Sequence, residues 1–225
     1  MLIKDWMSKS VVTIDHLSSL NDAAKLFRTR VISMLPVMES GQLVGVVTDG
    51  DIKEATPSEA TTLDRYEMRT LMDTVQIKSI MSKPAITIAC DHTVDEAAVL
   101  MLRRGISGLP VVDSAGTLQG VITKSDLFRC FVSFTGVAGK GQIFAFNLQD
   151  RPGSIKILTD DIRESGGRLC SIMTSYDDIE EGFRKVFIHA FDIDPEKFNS
   201  LVERFHRTGE LKYAADLARD FRKVW

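Results

Sequence analysis

Apolar and polar residues follow the same order in two separate stretches of the chain. Each stretch begins with a short apolar strand, at residues 11–14 and again at residues 85–89. Apolar residues then recur at helical spacing, which predicts one helix with a buried face in each stretch. The residues of these two faces are Ala23, Ala24 and Phe27 in the first stretch and Ala97, Ala98 and Met101 in the second.

Both predicted helices begin with a capping signal. Ser19 stands three residues before Asp22, and Thr93 stands three residues before Glu96. A hydroxyl and a carboxylate at this spacing satisfy the unpaired amide groups of a first helical turn. The sequence therefore predicts a capping box at the start of each helix.

A hairpin follows each helix, because two apolar strands are separated by a short turn that contains glycine. A second helix is predicted to begin near Asp51 in the first stretch and near Asp126 in the second, which gives the order β-α-β-β-α twice. The hairpin strands are residues 34–38 and 43–48, turned at Ser40-Gly41, and residues 109–112 and 118–123, turned at Ser114-Ala115-Gly116.

The two stretches are copies of one unit that keep their register. A spacing of 74 residues relates Met7-Ser8-Lys9 to Met81-Ser82-Lys83 and Thr13 to Thr87. After one additional residue in the second turn, a spacing of 75 relates Thr48 to Thr123 and Asp51 to Asp126. A unit repeated in this way usually cannot bury its apolar face alone, so we expect the copies to pack together.

The pattern changes after a small-residue segment at residues 135–141. A strand at 142–148 precedes a helix whose Ile155, Leu158 and Ile162 share one face, and strands follow at 169–175 and 183–191. Asp194 and Pro195 fit the cap and first position of another helix, and a last strand is predicted at 211–214. This β-α-β-β-α-β order is ferredoxin-like. The apolar stripe of the second helix comprises Phe198, Leu201, Val202 and Phe205.

The fold class is therefore mixed α/β, with a doubled unit and a separate C-terminal domain. Residues 53–74 are polar and are predicted to form a short helix and then a loose connection. The expected boundaries are 1–60 for the first repeat, 61–74 for the connector, 75–134 for the second repeat, 135–141 for the linker and 142–225 for the C-terminal domain.

Composition limits the partners that we expect. The chain of 225 residues is 44% hydrophobic and 26% charged, with a net charge of −3 and a pI of about 5.8. No overall basic field is available to attract nucleic acid or an anionic membrane, although a local basic pocket stays possible. The start MLIKDWMSKS lacks an apolar signal stretch, and no apolar run reaches the roughly 18 residues of a membrane span. We therefore predict a cytoplasmic protein.

The residues that usually carry catalysis or bind metals are scattered. The three cysteines are Cys90, Cys130 and Cys170, which lie far apart and are typical of free thiols in a reducing compartment. No metal-binding spacing, nucleophile motif or phosphate-binding loop is present. We expect no catalytic residue, no metal site and no enzymatic activity. An acidic run at residues 177–181 is interpreted as a solvated loop rather than a metal site.

The doubled unit resembles a pair of CBS domains, the arrangement known as a Bateman module. The motifs that carry this resemblance occur twice, as ISMLP at 32–36 with TDGD at 48–51, and as GISGLP at 105–110 with TKSD at 123–126. The C-terminal domain resembles an ACT domain through LQDRPGS at 148–154. Together they are similar to regulatory proteins of the acetoin-utilisation protein B type.

The resemblance implies that an adenine nucleotide, AMP, ADP, ATP or S-adenosylmethionine, binds as a regulatory ligand in clefts between the repeats. Asp51 and Asp126 would accept the ribose hydroxyls, and Thr48 and Thr123 would donate to phosphate. The base would lie between the two apolar strands. The implied set is Thr13, Ile32, Ser33, Leu35, Pro36, Thr48, Asp51, Thr87, Ile106, Ser107, Gly108, Leu109, Pro110, Thr123, Lys124 and Asp126. Candidate cations for phosphate are Lys9, Arg30, Lys53, Lys83, Arg104 and Lys124.

A competing interpretation treats each Thr-x-x-Asp motif as an ordinary helix cap. The first repeat also departs from the family pattern, because Val31 and Met34 stand where the second repeat has Gly105 and Gly108. Their bulk is expected to narrow or close the first cleft. If only one site binds ligand, the sequence favours the one with Thr123 and Asp126.

The ACT-like loop implies an amino-acid site or an association surface. Its residues are Asp150, Arg151, Pro152, Gly153 and Ser154, which also fit a simple tight turn before a helix. We expect a homodimer, since sheet edges and helices of such domains pair across two-fold axes. The predicted function is that of a ligand-sensing regulator, and the alternative is a ligand-free dimeric scaffold.

Overall fold

The computed structural model describes residues 1–56 and 65–225. Within these residues the chain divides into two compact units, Met1–Cys130 and Phe131–Trp225. The first unit contains the two repeats, and the second contains the C-terminal sheet.

The first repeat folds around a three-stranded sheet in which β1 lies parallel to β2, and β2 lies antiparallel to β3. The elements are α1 (Ile3–Trp6), β1 (Ile14–Asp15), α2 (Leu20–Thr29), β2 (Met34–Glu39), β3 (Gln42–Thr48) and α3 (Asp49–Ala55), and α4 (Arg65–Thr74) follows. The predicted hairpin and the helix near Asp51 are both confirmed.

The second repeat has the same architecture, with the sheet order β4-β5-β6. A short 3₁₀ turn at Ile77–Ser79 takes the place of α1. The elements are β4 (Ile88–Ala89), α5 (Val94–Arg104), β5 (Gly108–Val112), β6 (Leu118–Thr123) and α6 (Lys124–Thr135). The predicted helix near Asp126 is thus present.

Both predicted capping boxes are confirmed. The Ser19 hydroxyl accepts from the Asp22 amide at 3.1 Å, and the Asp22 carboxylate accepts from the Ser19 amide at 3.2 Å. The equivalent bonds between Thr93 and Glu96 measure 3.3 Å and 2.7 Å. Local capping chemistry therefore fixes where α2 and α5 begin.

Each repeat sends its leading segment into the other repeat. Ile3 is fully buried in the core of the second repeat, and Ile77, which precedes the second repeat, is fully buried in the core of the first. The backbone bonds are reciprocal: the Ile3 amide donates to the His92 carbonyl, and the Ile77 amide donates to the Ser18 carbonyl, both at 2.9 Å. The first unit thus contains two cores, and each is completed by a residue from the opposite repeat, which explains why the repeat occurs twice.

A second reciprocal exchange lies further along these segments. Ser82 and Val46 exchange backbone hydrogen bonds of 2.9 and 3.0 Å, and Ser8 and Val121 do the same. The strands predicted at 11–14 and 85–89 are consequently shorter than expected, at Ile14–Asp15 and Ile88–Ala89. The residues before them belong to extended segments that reach the opposite repeat.

The connector between the repeats differs from the prediction. A helix, α4, spans Arg65–Thr74 where a loose connection was expected, while the part of that expectation at residues 57–64 lies outside the described residues. Long-range contacts hold this helix, because the Asn21 amide nitrogen donates to Asp73 at 2.8 Å and the Leu20 amide donates to the Val75 carbonyl at 2.8 Å. Such contacts leave no signal in a local sequence pattern.

The second unit is a five-stranded antiparallel sheet in the order β11-β10-β7-β9-β8. It follows the predicted β-α-β-β-α-β order and adds one edge strand, β11, that the sequence did not indicate. The elements are β7 (Gln142–Gln149), α7 (Ser154–Glu164), β8 (Arg168–Ser175), β9 (Phe183–Phe191), α8 (Pro195–Arg207), β10 (Leu211–Asp216) and β11 (Phe221–Val224).

The predicted apolar stripe of α8 forms much of the core of the second unit. Its four residues are all buried. Phe205 meets Phe144 and Phe146 of β7 edge-on, with ring centroids 5.6 and 5.2 Å apart. Asp194 caps the helix by accepting from the Glu196 amide at 2.9 Å. Aromatic packing therefore holds α8 against the central strand of the sheet.

None of the helices in the described residues has the length and apolar character that a bilayer crossing requires. Nor do three or more histidine, cysteine or acidic side chains come together as possible metal ligands within residues 1–56 and 65–225.

Candidate functional site

A cleft of about 1050 Å³ lies between the two repeats. Both repeats contribute to its walls, so neither repeat forms the cleft alone. The walls consist of residues 32–34 and 48–51 with Phe27 and Val46 from the first repeat, and of residues 82–86 and 105–108 from the second.

The exchanged segment of the second repeat forms one wall. The bridge between Ser82 and Val46 holds residues 82–86 beside β3, near the point where that strand ends at Thr48. Met81 packs over Gly45, where a Cβ atom would lie 2.7 Å from the Met81 Sδ atom and 2.9 Å from the Ser82 carbonyl oxygen. Glycine is required at this position for the segment to approach so closely.

Thr48 and Asp51 form a closed capping box at the mouth of α3. One carboxylate oxygen of Asp51, Oδ2, accepts from both the amide and the hydroxyl of Thr48, each at 2.7 Å. The Thr48 hydroxyl in turn accepts from the Asp51 amide at 3.3 Å. The hydroxyl proton of Thr48 is thus already directed to Asp51, and the cap interpretation of this motif is correct.

The second carboxylate oxygen of Asp51, Oδ1, has no hydrogen-bond or ion-pair partner among the residues that the structure describes. Asp51 is half-buried and lines the cleft. A carboxylate oxygen in this state accepts hydrogen bonds from hydroxyl groups. The cap and a ligand-binding role are therefore compatible, because they use different oxygens of one side chain.

The equivalent carboxylate in the second repeat is differently placed. Asp126 Oδ2 accepts from the amide and hydroxyl of Thr123, each at 2.8 Å, while Oδ1 lies 3.0 Å from a guanidinium nitrogen of Arg129. The Asp126 side chain is only 7% exposed. Arg129 also donates to the Trp6 carbonyl at 2.8 Å. In the first repeat, the position of Arg129 is occupied by Glu54, which is exposed.

The cleft contains part of the residue set that the sequence implied. The members of the implied set that line the cleft are Ile32, Ser33, Thr48, Asp51, Ile106, Ser107 and Gly108. Leu35 and Leu109 instead lie in the two cores with no exposed surface, and Pro36 and Pro110 are buried in the same strands. Thr13, Thr87, Thr123, Lys124 and Asp126 are not part of the cleft walls.

Sequence reasoning missed most of the segment at 82–86. Of the six candidate cations, Lys83 lines the cleft, whereas Lys9, Arg30, Lys53, Arg104 and Lys124 do not. The repeated Met-Ser-Lys triplet was a signal for this wall, since the same triplet leads both exchanged segments. Its role becomes visible only when Ser82 is seen beside Val46.

The expected effect of bulk in the first repeat is not observed. Val31 is fully exposed and does not line the cleft. Met34 is 5% exposed and packs against the second repeat, where a Cβ atom on Gly108 would lie 2.6 Å from its Sδ atom. One methionine thus fills space that the opposite glycine leaves, and the cleft stays open.

The loop at residues 150–154 in the second unit is held by a polar network. The carboxylate of Asp150 lies 3.4 Å from Arg184 Nε and accepts from the Tyr176 hydroxyl at 3.1 Å. Arg184 also donates to the Ser154 hydroxyl at 3.1 Å. Gly153 has a φ of +85° and caps α7, as a tight turn before a helix requires. Arg151 and Pro152 are exposed.

Comparison with known proteins identifies the doubled unit. The CBS domain model matches residues 3–58 and 77–133. A CBS domain-containing protein of Dictyostelium discoideum is 37% identical over 133 residues, which are 59% of this chain and 92% of that protein.

Two solved structures are also similar. A CBS domain pair crystallised with 5′-methylthioadenosine and S-adenosylmethionine is 32% identical, covers 58% of this chain and 95% of that chain, and has a TM-score of 0.49. A Vibrio cholerae protein assigned to acetoin utilization is 24% identical, covers 62% of this chain and 96% of that chain, and has a TM-score of 0.51. The second likeness concerns the fold alone.

Proposed function

Because the chain belongs to the CBS domain family through both of its repeats, we propose that it is a regulatory protein that binds an adenosine-containing ligand in the cleft at Thr48 and Asp51. AMP, ADP, ATP and S-adenosylmethionine all contain the adenosine group that this proposal requires. In this role the chain acts as a sensor in the cytoplasm and not as an enzyme.

The observation that carries the proposal is Asp51 Oδ1, which has no partner among the described residues and lies inside a cleft built by both repeats. The adjacent hydroxyls of a ribose are two donors that one carboxylate accepts together. A volume of about 1050 Å³ is of the size found for small-molecule sites. Ile32, Ile86 and Ile106 offer apolar side chains against which a flat base can pack.

The Thr48 side of the module is a better ligand site than the Thr123 side. Asp126 has both carboxylate oxygens engaged, and a ribose would have to displace Arg129 to reach it. Displacement would leave the guanidinium or the carboxylate without its partner, at a cost of about 1–3 kcal/mol. At Asp51, no ion pair of the described residues has to be displaced from Oδ1. We therefore assign one ligand to each chain.

For the C-terminal unit we propose an ACT domain that associates into a homodimer or binds an amino acid. The β-α-β-β-α-β order and the LQDRPGS motif support this assignment. The loop network joins Asp150, Arg184 and Ser154 to one another, while the buried Arg184 Nε lacks a hydrogen-bond partner among the described residues. Together, the two assignments describe a regulator of the acetoin-utilisation protein B type.

Isothermal titration calorimetry with AMP, ADP, ATP and S-adenosylmethionine tests the proposal. We expect at least one of these compounds to bind with a stoichiometry of one per chain. Asp51→Asn should weaken that binding by about tenfold or more, since hydrogen bonds to a charged group contribute roughly 1.5–3 kcal/mol. The matched control is Asp126→Asn, which should leave the affinity unchanged. Equal affinities for the wild-type protein and Asp51→Asn would contradict the site.

A ligand-free dimeric scaffold is the second candidate. Large apolar side chains are exposed on two helices of the second repeat, namely Val99 and Leu102 on α5 and Phe128 and Phe131 on α6. Exposed apolar side chains on helices favour association. Thermal shift separates the candidates, because a ligand at about 100 times its dissociation constant adds about 2.7 kcal/mol of stability. A melting temperature unaffected by all four compounds would favour the scaffold.

A further inference from the structure

We infer that the cleft at Thr48 and Asp51 selects adenosine compounds whose 5′ substituent is neutral, cationic or a single phosphate, and that it discriminates against di- and triphosphates. This inference rests on the proposed function and adds the class of ligand. It follows from the charges and hydrogen-bond donors that the cleft presents.

Among the residues that the structure describes, the charged side chains that line the cleft are two carboxylates, Asp49 and Asp51, and one ammonium group, Lys83. The nearby Lys53 lies 2.5 Å from Asp49 and offsets its charge, but the Lys53 side chain is 75% exposed and lies outside the walls. A triphosphate brings several negative charges into this space. With one ammonium group in the described part of the walls, the repulsion from the two carboxylates is not compensated.

The donors that usually hold phosphate are also limited. The Thr48 hydroxyl proton is directed to Asp51 Oδ2 at 2.7 Å and is not available to a ligand. The helix that begins there, α3, has only seven residues, so its dipole adds little. The hydroxyls of Ser33, Ser82 and Ser107 line the cleft and are sufficient for one phosphate or for a polar neutral group.

The difference between the repeats at one helix position strengthens this conclusion. Three residues after Asp126, the second repeat has the cation Arg129, whereas three residues after Asp51 the first repeat has the anion Glu54. The change from a cation to an anion leaves Asp51 without a neutralising partner on its own helix. A ligand with a positive charge, such as a sulfonium group, gains from this field, and a polyphosphate loses.

Calorimetric titrations in metal-free buffer at low salt test the inference. The ligand series is adenosine, 5′-methylthioadenosine, S-adenosylmethionine, AMP, ADP and ATP. We expect the first four to bind at least tenfold more tightly than ATP. The ratio between adenosine and ATP should decrease as salt is added, since salt screens the repulsion.

Two variants test the effects of the negative and the positive cleft charge separately. Asp49→Asn should strengthen ATP binding several-fold relative to adenosine, and Lys83→Ala should weaken AMP binding relative to adenosine. ATP binding as tightly as adenosine at one site per chain would overturn this inference and leave the proposed function intact. If none of the six compounds binds, the proposed function itself fails.

Discussion

Arg129 lies 3.0 Å from Asp126 and holds its carboxylate oxygen Oδ1, whereas the same oxygen of Asp51 in the first repeat has no partner among the described residues. The two repeats share a fold and a motif, yet in the second repeat the carboxylate of the motif is already paired with the Arg129 guanidinium. A duplicated sequence thus gives two chemically different carboxylates, and only one of them can accept a ligand without breaking an ion pair.

Arg129→Ala should destabilise the protein by about 1–2 kcal/mol. Asp126 is 7% exposed and would be left buried with one unpaired oxygen, and the Trp6 carbonyl would lose a donor as well. Urea denaturation followed by circular dichroism measures the change. Asp126→Asn combined with Arg129→Ala should cost less than the sum of the single changes, because the two residues interact. Strict additivity would show that the ion pair contributes nothing.

Glu54→Arg should weaken adenosine binding by about tenfold. The new guanidinium occupies the position that Arg129 has relative to Asp126, so we expect it to pair with the free oxygen of Asp51. Calorimetry or competition with a fluorescent adenosine compound measures the affinity. Glu54→Gln is the control and should bind as the wild-type protein does. An arginine variant with full affinity would argue against ribose binding at Asp51.

Gly45→Ala should destabilise the first unit by roughly 1–3 kcal/mol and weaken ligand binding. Its Cβ atom would come within 2.9 Å of the Ser82 carbonyl oxygen, so the wall at residues 82–86 must shift. Gly50→Ala is the matched control for stability, because the nearest atom there is Thr48 Oγ1 at 3.5 Å, an ordinary contact. Gly50 itself lines the cleft, so it is not a control for binding. Thermal melts of both variants and titrations of Gly45→Ala report the result. Equal stability of the two variants would show that the exchanged segment adapts freely.

The capping box of α5 should contribute a stability that depends on pH. The backbone amide and hydroxyl of Thr93 donate to Glu96 and hold the pKa of that carboxyl below its usual value of about 4.3. The capping bonds therefore stabilise the folded state above this value, and their contribution is lost as the pH falls through the lowered pKa of Glu96 in the folded state.

Urea melts of wild type and Glu96→Gln between neutral and acidic pH measure this contribution. The difference in stability should be largest at neutral pH and should vanish under acidic conditions. Glu164→Gln is the control, since this exposed carboxylate caps no helix among the described residues. Its substitution should not give the same dependence of stability on pH.

The three cysteines should differ in their rates of alkylation. Cys170 is exposed, whereas Cys130 is 2% exposed and burial raises the pKa of its thiol. Because the thiolate is the reacting form, we expect Cys130 to react with iodoacetamide slower than Cys170 by on the order of tenfold or more. Peptide mapping by mass spectrometry over time measures both rates. Similar rates would mean that the core around Cys130 opens readily.

Much of the fold could be predicted because its signals are local. The capping boxes at Ser19 and Thr93, the hairpin turns and the apolar stripe of α8 each depend on residues within a few positions of one another. The β-α-β-β-α-β order of the second unit was predictable for the same reason. The final strand, Phe221–Val224, was not, because it is short and largely exposed and depends on pairing with β10.

The candidate site was only partly predictable. The sequence singled out Thr48, Asp51 and the strand at 106–108. It favoured the site at Thr123 and Asp126, however, because the second repeat has Gly105 and Gly108. We instead propose the site at Thr48 and Asp51. Met34 packs against Gly108 without closing the cleft, and Arg129 forms an ion pair with Asp126. Both contacts depend on how side chains meet after folding.

The sequence by itself determined that one β-α-β-β-α repeat occurs twice, where its helices begin and which residues carry the Thr-x-x-Asp motif. These properties depend on spacing along the chain, which a duplicated pattern preserves. Only the tertiary structure decided that Ile3 and Ile77 each complete the core of the opposite repeat and that residues 82–86 form a wall of the cleft. It also decided that Asp51 keeps one oxygen without a partner among the described residues. The physical reason is that packing and ion pairing act between residues distant in sequence, so equal motifs acquire unequal surroundings.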